Sequence, residues 1–304
     1  MKSILSILSI LFYFKLIIFV YSCSREPINF ETELVKRDNT FYQKNQSNTF
    51  SGQVFSVHKN QRKKINGHLK DGKKDNLWIE WYNNGSIKSE EIYDMGKPTD
   101  EWRFWYNSGE IKLRTNYKNG YLNGLRTEWY ENGQKKEIGN YKKNKFHGEW
   151  KKWYSNGMIS AQGNYLNGEE SGLHIFWYEN GKKKSQAEFN NGQITGNRIE
   201  WYENGQKKEE GNVEGLWVQW YENGNKKGEG KYKDQIPIGR HLLWHENGKK
   251  KSEINFINGI PHGLRLEWYD NGQLKERGSL INGNQNGEWI YYNADGSIDG
   301  VENY

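Results

Sequence analysis

The chain has few of the residues that build disulfide-linked domains or large aliphatic cores. Its 304 residues include one cysteine, four prolines and three methionines, so it can form no internal disulfide. Hydrophobic residues make up 34% of the chain and aromatic residues 15%, which leaves aliphatic side chains scarce. A domain of this length normally buries many aliphatic residues around one centre. The composition therefore excludes a conventional globular core and favours a repetitive β architecture.

The first 22 residues predict a secretory signal. They are apolar, carry Lys2 near the start, and precede the only cysteine, Cys23, after which the chain turns polar. With cysteine at the cleavage position the segment resembles a bacterial lipoprotein signal, although Tyr21 and Lys15 depart from the usual pattern. An uncleaved anchor is the alternative, because about 20 apolar residues can span a bilayer. We predict a signal peptide over 1–22, lipid attachment at Cys23 and a linker or tether over 23–49.

A period of 24 residues organises the remainder, which we predict to be one repeat array over 50–304. The string Trp-Tyr-x-x-Gly, with the Tyr once replaced by His, begins nine units. Degenerate repeats that begin at Val57 and Tyr292 bring the number of units to about eleven. One step is only 19 residues, so 212–215 is expected to be a shortened connection. We count each tryptophan as position 0 of its unit and expect these nine residues to form the repeat core: Trp81, Trp105, Trp129, Trp153, Trp177, Trp201, Trp220, Trp244 and Trp268.

Each unit reads as a β-hairpin, because Asn-Gly between two β-prone runs is a strong hairpin signal. A two-residue loop would place Glu128 opposite Glu137, and like charges directly opposite are unfavourable. A three-residue loop with a left-handed glycine places Glu128 opposite Lys136 instead. The same choice pairs Glu80 with Lys88, Glu200 with Lys208 and Glu267 with Lys275. We therefore predict the three-residue loop and an elongated, single-layer, antiparallel all-β sheet about 100 Å long before twist.

This register also predicts which side chains share a face. The position 0 tryptophans, the aliphatics at −2 and the aromatics at +12 fall on one apolar face. The other face carries charges and the rings at −3 and +1, which either stack to cover the sheet or form a platform for a partner. The candidate binding surface consists of Trp78, Trp102, Trp150, Trp217, Trp289, Tyr82, Tyr106, Tyr130, Tyr154, Tyr178, Tyr202, Tyr221 and Tyr269.

The string Trp-Tyr-Glu-Asn-Gly-x-Lys-Lys, followed by Tyr-x-x-Gly, resembles the bacterial MORN-repeat variant family over about residues 50–300. The resemblance implies an elongated sheet of tandem hairpins. Many such bacterial proteins carry an antitoxin label, and related MORN repeats act as protein-interaction or phospholipid-contacting scaffolds. The family supplies no catalytic residue.

No catalytic or metal-binding arrangement stands out from the repeats. Nucleophile elbows, Walker loops and dinucleotide fingerprints are missing, and the carboxylates recur with the period. His241 and His245 would lie about 13 Å apart on one strand, too far to share a metal, and each is expected to fill an aromatic position of its repeat. Without Lys2 and Lys15 of the leader the net charge of +6 falls to +4, which is too small to predict a nucleic-acid partner. We predict a non-enzymatic chain without catalytic residues, metal or cofactor.

The leading functional prediction is a lipid-anchored scaffold at the bacterial cell envelope, periplasmic or surface-facing, that binds an unidentified protein. Two alternatives stay open. One is an antitoxin-like protein of a toxin–antitoxin system, for which an exported chain would need an envelope-active or co-exported toxin. The other is a cell-wall glycan-binding repeat protein, since rings in glycine-punctuated hairpins also resemble choline- and wall-binding repeats.

Overall fold

The computed structural model describes residues 25–212 and 214–304 and confirms the predicted all-β class. One open sheet of 25 strands contains almost all of the secondary structure, and a separate two-stranded sheet precedes it. None of the described residues belongs to a helix, so no helix among them could cross a membrane. The predicted signal over 1–22 and Cys23 lie outside the described residues.

The strands follow one another along the chain. Three come before the array: β1 Ile28–Asn29, β2 Leu34–Arg37 and β3 Thr40–Gln43. The array consists of β4 Gly52–Val57, β5 Lys63–Lys70, β6 Lys73–Trp81, β7 Ile87–Asp94, β8 Lys97–Trp105, β9 Ile111–Lys118, β10 Tyr121–Trp129, β11 Lys135–Lys142, β12 Lys145–Trp153, β13 Ile159–Leu166, β14 Glu169–Trp177, β15 Lys183–Asn190, β16 Gln193–Ile194, β17 Arg198–Trp201, β18 Lys207–Gly211, β19 Leu216–Trp220, β20 Lys226–Lys233, β21 Ile236–Trp244, β22 Lys250–Ile257, β23 Ile260–Pro261, β24 Gly263–Trp268, β25 Leu274–Ile281, β26 Asn284–Tyr292 and β27 Ile298–Asn303.

Sheet order equals chain order throughout the array. Each strand pairs with the next in antiparallel fashion, while β16 and β17 share β15, and β23 and β24 share β22. Eleven hairpins result, from β4–β5 to β26–β27, as the tryptophan period predicts. Strand pairing within the array is therefore confined to sequence neighbours, which is the arrangement of a quasi-one-dimensional repeat protein.

The tip of each hairpin is the predicted three-residue loop. In the second hairpin Tyr82 N–H donates to Ser86 O at 2.9 Å, and Gly85 N–H donates to Tyr82 O at 2.9 Å. Gly85 has a φ of 95°, in the left-handed region where glycine is unstrained. Glycine is therefore needed at this turn position, and Trp81 lies opposite Ile87 as the loop requires.

The predicted register is wrong beyond the tryptophan. A β-bulge follows at once, so that Trp129 lies opposite Lys135 but Glu128 lies opposite Glu137. Lys136 is the extra residue, and a bulge sets two residues of one strand against one of the other. Glu128 therefore lies opposite both Lys136 and Glu137, and its predicted ion pair with Lys136 still forms, at 2.7 Å. The other predicted pairs also form, Glu80–Lys88 at 3.0 Å, Glu200–Lys208 at 3.4 Å and Glu267–Lys275 at 3.1 Å.

Because of the bulge, the side chains do not share faces as predicted. The bulge shifts the strand after the turn by one residue, which moves the +12 aromatics away from the position 0 tryptophans. Tyr93 and Tyr117, both at +12, contact Trp102 at −3 with ring centroids 4.9 and 4.6 Å away. We call the side with positions −3 and +12 the ring face, and the side with positions 0, −2 and −4 the tryptophan face.

The segment predicted as a linker differs from that expectation, because its described part is folded. Strand β1 lies parallel to β4, with Ile28 opposite Val54, and β2 and β3 form a hairpin. Leu34 and Phe50 are buried together with Trp78 of the array. The apolar residues of this segment therefore cover the first hairpins of the array.

Candidate interaction surfaces

The rings at −3 and +12 alternate along the ring face and pack on one another. His174 lies between Tyr165 and Phe189 with centroid distances of 5.2 and 5.1 Å. Trp78 and Trp289 are 2% and 1% exposed, and Trp102 and Trp150 are also buried. We call this alternating row the ring ladder. Four of the five candidate tryptophans at −3 thus lie mostly within the sheet's own side chains, and their role in binding stays a prediction.

Each buried ring of the ladder is also held by a hydrogen bond to the preceding hairpin. Trp78 Nε1–H donates to His68 O at 3.0 Å, Trp102 Nε1–H to Ile92 O at 2.8 Å, and Trp289 Nε1–H to Ser279 O at 3.1 Å. Nε2 of His174 and His241 is bonded to backbone oxygens in the same way, at 2.7 and 3.0 Å. A buried ring N–H needs such a partner.

Glycine at +10 makes room for the ladder, a role that sequence reasoning missed. A Cβ atom on Gly163 would lie 2.3 Å from the His174 ring, and one on Gly278 would lie 2.1 Å from Trp289. The signal was present in the sequence, since +10 is glycine in six hairpins: Gly67, Gly139, Gly163, Gly211, Gly230 and Gly278.

Trp217 is the member of the candidate set that differs, because it is half-buried. It follows the connection between Gly211 and Leu216, which is shortened as predicted, and lies opposite Gly211. A cavity of about 240 Å³ lies beside it, lined by Asn212, Gln219, Tyr232 and Gln235. The one irregular repeat thus leaves its ring more accessible than the others.

The +1 tyrosines form a second ladder along the hairpin tips. Each hydroxyl donates to the backbone oxygen of the position 0 residue in the next hairpin at 2.6–2.9 Å. All eight candidate tyrosines do so: Tyr82, Tyr106, Tyr130, Tyr154, Tyr178, Tyr202, Tyr221 and Tyr269. His58 and His245 take the same position and bond through Nε2 to Trp81 O and Trp268 O. His245 thus fills an aromatic position of its repeat, as predicted, and His241 fills another in the ring ladder.

Asparagine side chains at +3 form a third ladder that sequence reasoning missed. Asn132 Nδ2–H donates to Ser155 O at 2.7 Å, and Asn180 Nδ2–H donates to Glu203 O at 3.0 Å. The Asn of Asn-Gly therefore joins neighbouring hairpins in addition to forming its own turn. The same donation to the next hairpin is made by Asn60, Asn84, Asn156, Asn204, Asn223, Asn247 and Asn271.

The position 0 tryptophans are half-buried on the opposite face. Lysines at +6 of the preceding hairpin cover several of them, and Lys183 Nζ lies 5.7 Å from the Trp201 ring centroid. The same arrangement recurs with Lys63 and Trp81, Lys207 and Trp220, Lys226 and Trp244, and Lys250 and Trp268, at 5.4–5.8 Å. Cation–π contacts of this kind shield the rings while leaving the ammonium groups in water.

Every third hairpin carries an arginine in place of the ring at −3. Arg126 bonds both Glu128 and Glu137, at 2.8 and 3.0 Å. Burial alone would raise the pKa of Glu128, but hydrogen bonds from Lys136 and Arg126 outweigh it, so its pKa lies below the ordinary 4.5. Equivalent clusters are Arg198 with Glu200 and Glu209, and Arg265 with Glu267 and Glu276. These arginines neutralise the opposed glutamates that the bulge creates.

Exposed leucines form a column on the tryptophan face. Position −4 is leucine in every second hairpin and polar or charged in the hairpins between. Two hairpins contain four strand spacings, so successive leucines are about 19 Å apart before twist. Their side chains are 41–55% exposed. The leucine column consists of Leu77, Leu125, Leu173, Leu216 and Leu264.

Metal-binding geometry is missing from the part of the chain that the structure describes. No group of three or more His, Cys, Asp or Glu residues there could hold a metal ion. The chemistry that the ring ladder, the tyrosine and asparagine ladders and the leucine column provide is ring packing, hydrogen bonding and apolar contact.

The MORN repeat variant model matches nine segments, which together make up more than half of the chain. They are residues 74–95, 101–119, 122–143, 146–167, 170–191, 194–214, 213–234, 237–258 and 261–282. The chain belongs to the MORN repeat variant family. The nine MORN segments are those that contain the nine position 0 tryptophans. The hairpins β4–β5 and β26–β27 lie outside them but show the same bulged pairing, so they extend the MORN array at both ends.

Other comparisons add little to the family assignment. No curated protein matches this MORN chain. Similar solved structures include crystal structures of TcdB2-TccC3, of TcdB2-TccC3-Cdc42 and of TcdB2-TccC3-TEV, each 9% identical with a TM-score of 0.18. They cover 85–87% of this chain, which spans only 16–19% of theirs. Likeness at this level says nothing about function.

Proposed function

We propose that this MORN repeat chain is a non-enzymatic scaffold that binds another protein through its tryptophan face. The observation that carries the proposal is the leucine column. The leucines share this face with the half-buried tryptophans at position 0, so apolar side chains and rings lie together among polar residues. Exposed apolar area that is surrounded by polar residues is typical of a contact surface. The ring ladder, by contrast, uses its apolar area and its ring N–H groups within the sheet.

The leucine column suits an elongated partner. Burying a fully exposed leucine side chain contributes about 1.5–3 kcal/mol, and these leucines, being about half exposed, would each contribute about half of that. Several such contacts along one partner would together add to a useful affinity. Polar and charged residues stand at −4 between the leucines, and exposed charges of this kind contribute little to the affinity of a contact. These residues are Glu101, Glu149, Asn197, Arg240 and Glu288.

The experiment is a pull-down from detergent-solubilised envelopes with the wild-type chain and with Leu125→Ser/Leu173→Ser/Leu216→Ser. A specific protein should be retained by the wild type and lost with the triple variant. The control is Glu101→Ser/Glu149→Ser/Arg240→Ser, which changes the same column in the alternate hairpins and should retain the partner. Circular dichroism should show both variants folded, since these side chains are exposed. Equal retention by the two variants, or no specific partner at all, would exclude this surface.

Our proposal includes a lipid anchor on Cys23 that holds the scaffold at the bacterial cell envelope. The apolar segment over 1–22 directly before the only cysteine supports it. Metabolic labelling with radioactive palmitate should label the wild type and leave Cys23→Ala unlabelled. Label in both proteins, or in neither, would contradict the anchor. The antitoxin and glycan-binding roles stay predictions.

A further inference from the structure

The last strand of the sheet has one free edge within the described residues. Among the described residues, strand β27 pairs with β26 alone, on its inner side. The opposite end of the sheet is covered by β1 and by the core around Phe50. A free edge presents unpaired N–H and C=O groups that can accept another strand.

The last hairpin lacks the donors that join each hairpin to the next. Asn293 stands at +1, where other hairpins have tyrosine or histidine, and its Nδ2–H donates to Ser297 Oγ within its own turn. Asp295 replaces the asparagine at +3 and accepts hydrogen bonds from Ser297 N–H and Oγ–H at 2.8 and 2.6 Å. Neither side chain therefore extends the tyrosine or asparagine ladder beyond this hairpin.

The backbone groups that the edge offers follow from the pairing pattern. Tyr304 and Gly287 exchange two hydrogen bonds, at 2.9 and 3.0 Å. Hydrogen-bonded and non-hydrogen-bonded pairs alternate in an antiparallel ladder. Glu302 therefore directs its backbone groups towards β26, whereas Val301 and Asn303 direct theirs to the free edge.

The charges of β27 are opposite to those of the equivalent strands. Asp299 stands at +7, where nine of the ten earlier hairpins have lysine, and Glu302 stands at +10, where six have glycine. Neither carboxylate forms an ion pair with the described residues. Ile298 and Val301 lie on the tryptophan face and are 62% and 49% exposed. The edge is thus apolar on one face and acidic on the other.

We propose that β27 is a docking strand for an extended segment of another protein in which basic residues alternate with β-branched apolar residues. The backbone of that segment would pair with Val301 and Asn303, and its basic side chains would lie beside Asp299 and Glu302. A second copy of this chain is disfavoured as the occupant, because two β27 edges would place these carboxylates against each other.

The probe is a fluorescein-labelled peptide, Lys-Val-Lys-Val-Lys-Val, added to the chain from residue 25 onwards. Saturable binding is expected by fluorescence anisotropy, and none with the peptide in which glutamate replaces lysine. Asp299→Lys/Glu302→Lys should weaken binding about tenfold or more, because two exposed attractions become repulsions. Lys227→Glu/Lys251→Glu, at the same position +7 in earlier hairpins, is the control and should leave the affinity within about twofold, since charges beyond a Debye length are screened.

Val301→Pro distinguishes strand pairing from attraction by charge alone. Proline removes an edge N–H that faces solvent, a position where sheets tolerate it, so the fold should be retained and binding lost. Equal binding to wild type and Val301→Pro would overturn the proposal, and so would the lack of saturable binding to the wild type. A dimer in analytical ultracentrifugation that Val301→Pro abolishes would also overturn it, in favour of a second copy.

Discussion

At the scale of single residues, glycine at two kinds of position makes the repeat possible. Gly85 adopts the left-handed backbone of the hairpin tip. Gly163 serves another purpose, because its missing side chain leaves space for the His174 ring of the next hairpin. The regular recurrence of glycine at the hairpin tips reveals the turn role from the sequence alone. The space-making role could not be read in this way, because it depends on a strand register that is set by a bulge.

We expect Gly163→Ala to destabilise the protein. Its Cβ would lie 2.3 Å from the His174 ring, and overpacking of this kind costs about 1–3 kcal/mol. Urea unfolding followed by circular dichroism measures the change. Gly300→Ala is the matched control, since no atom lies within 4 Å of its added Cβ, and we expect a change of less than about 0.5 kcal/mol. Equal effects of the two substitutions would contradict the proposed role of the +10 glycine.

At the scale of the hairpin, the charged clusters show why the register could not be read from opposite-charge pairing. Avoiding Glu128 opposite Glu137 favoured the wrong pairing, yet the predicted ion pair with Lys136 formed all the same. The bulge places both residues opposite Glu128, and Arg126 bonds both carboxylates. Arginine at −3 in each hairpin with opposed glutamates was a signal that could have indicated this pairing.

We expect Arg126→Met to destabilise the protein at pH 7, because it leaves Glu128 and Glu137 facing each other without the shared cation. The loss of two charge-assisted hydrogen bonds costs about 1.5–3 kcal/mol. Adding Glu137→Gln should restore part of this free energy. A double-mutant cycle from urea unfolding measures the coupling, and strictly additive effects would contradict a shared cluster.

The effect of Arg126→Met should depend on pH in a defined direction. Burial opposes the shift, but the hydrogen bonds from Lys136 and Arg126 hold the pKa of Glu128 below 4.5 in the folded protein. A depressed carboxylate pKa contributes stability above the unfolded value, and this contribution is lost as the pH falls through the folded value. The difference between wild type and variant should therefore shrink below pH 4.5. A difference that grows with acidity would be inconsistent with the cluster.

At the scale of the whole molecule, stability should be distributed along the array, because each hairpin contacts only its neighbours. The first hairpins differ, since residues of the preceding segment bury Phe50 and Trp78. We expect deletion of residues 25–49 to raise amide hydrogen exchange in β4–β6 while leaving β20–β25 protected. Exchange by mass spectrometry measures both regions. A uniform rise across all hairpins would mean that the array unfolds as one unit.

The sequence by itself determined the repeat, the hairpin and the three-residue loop, because glycine and asparagine act locally on the backbone and recur with the period. The 24-residue spacing was sufficient for the all-β class and for the family resemblance. Only the tertiary structure decided which rings share a face, because a bulge residue such as Lys136 moves the side chains of the strand that follows it to the other side of the sheet. Burial of Trp78 and Trp102, and exposure of the leucine column, follow from that shift and from contacts between hairpins, which no single unit contains.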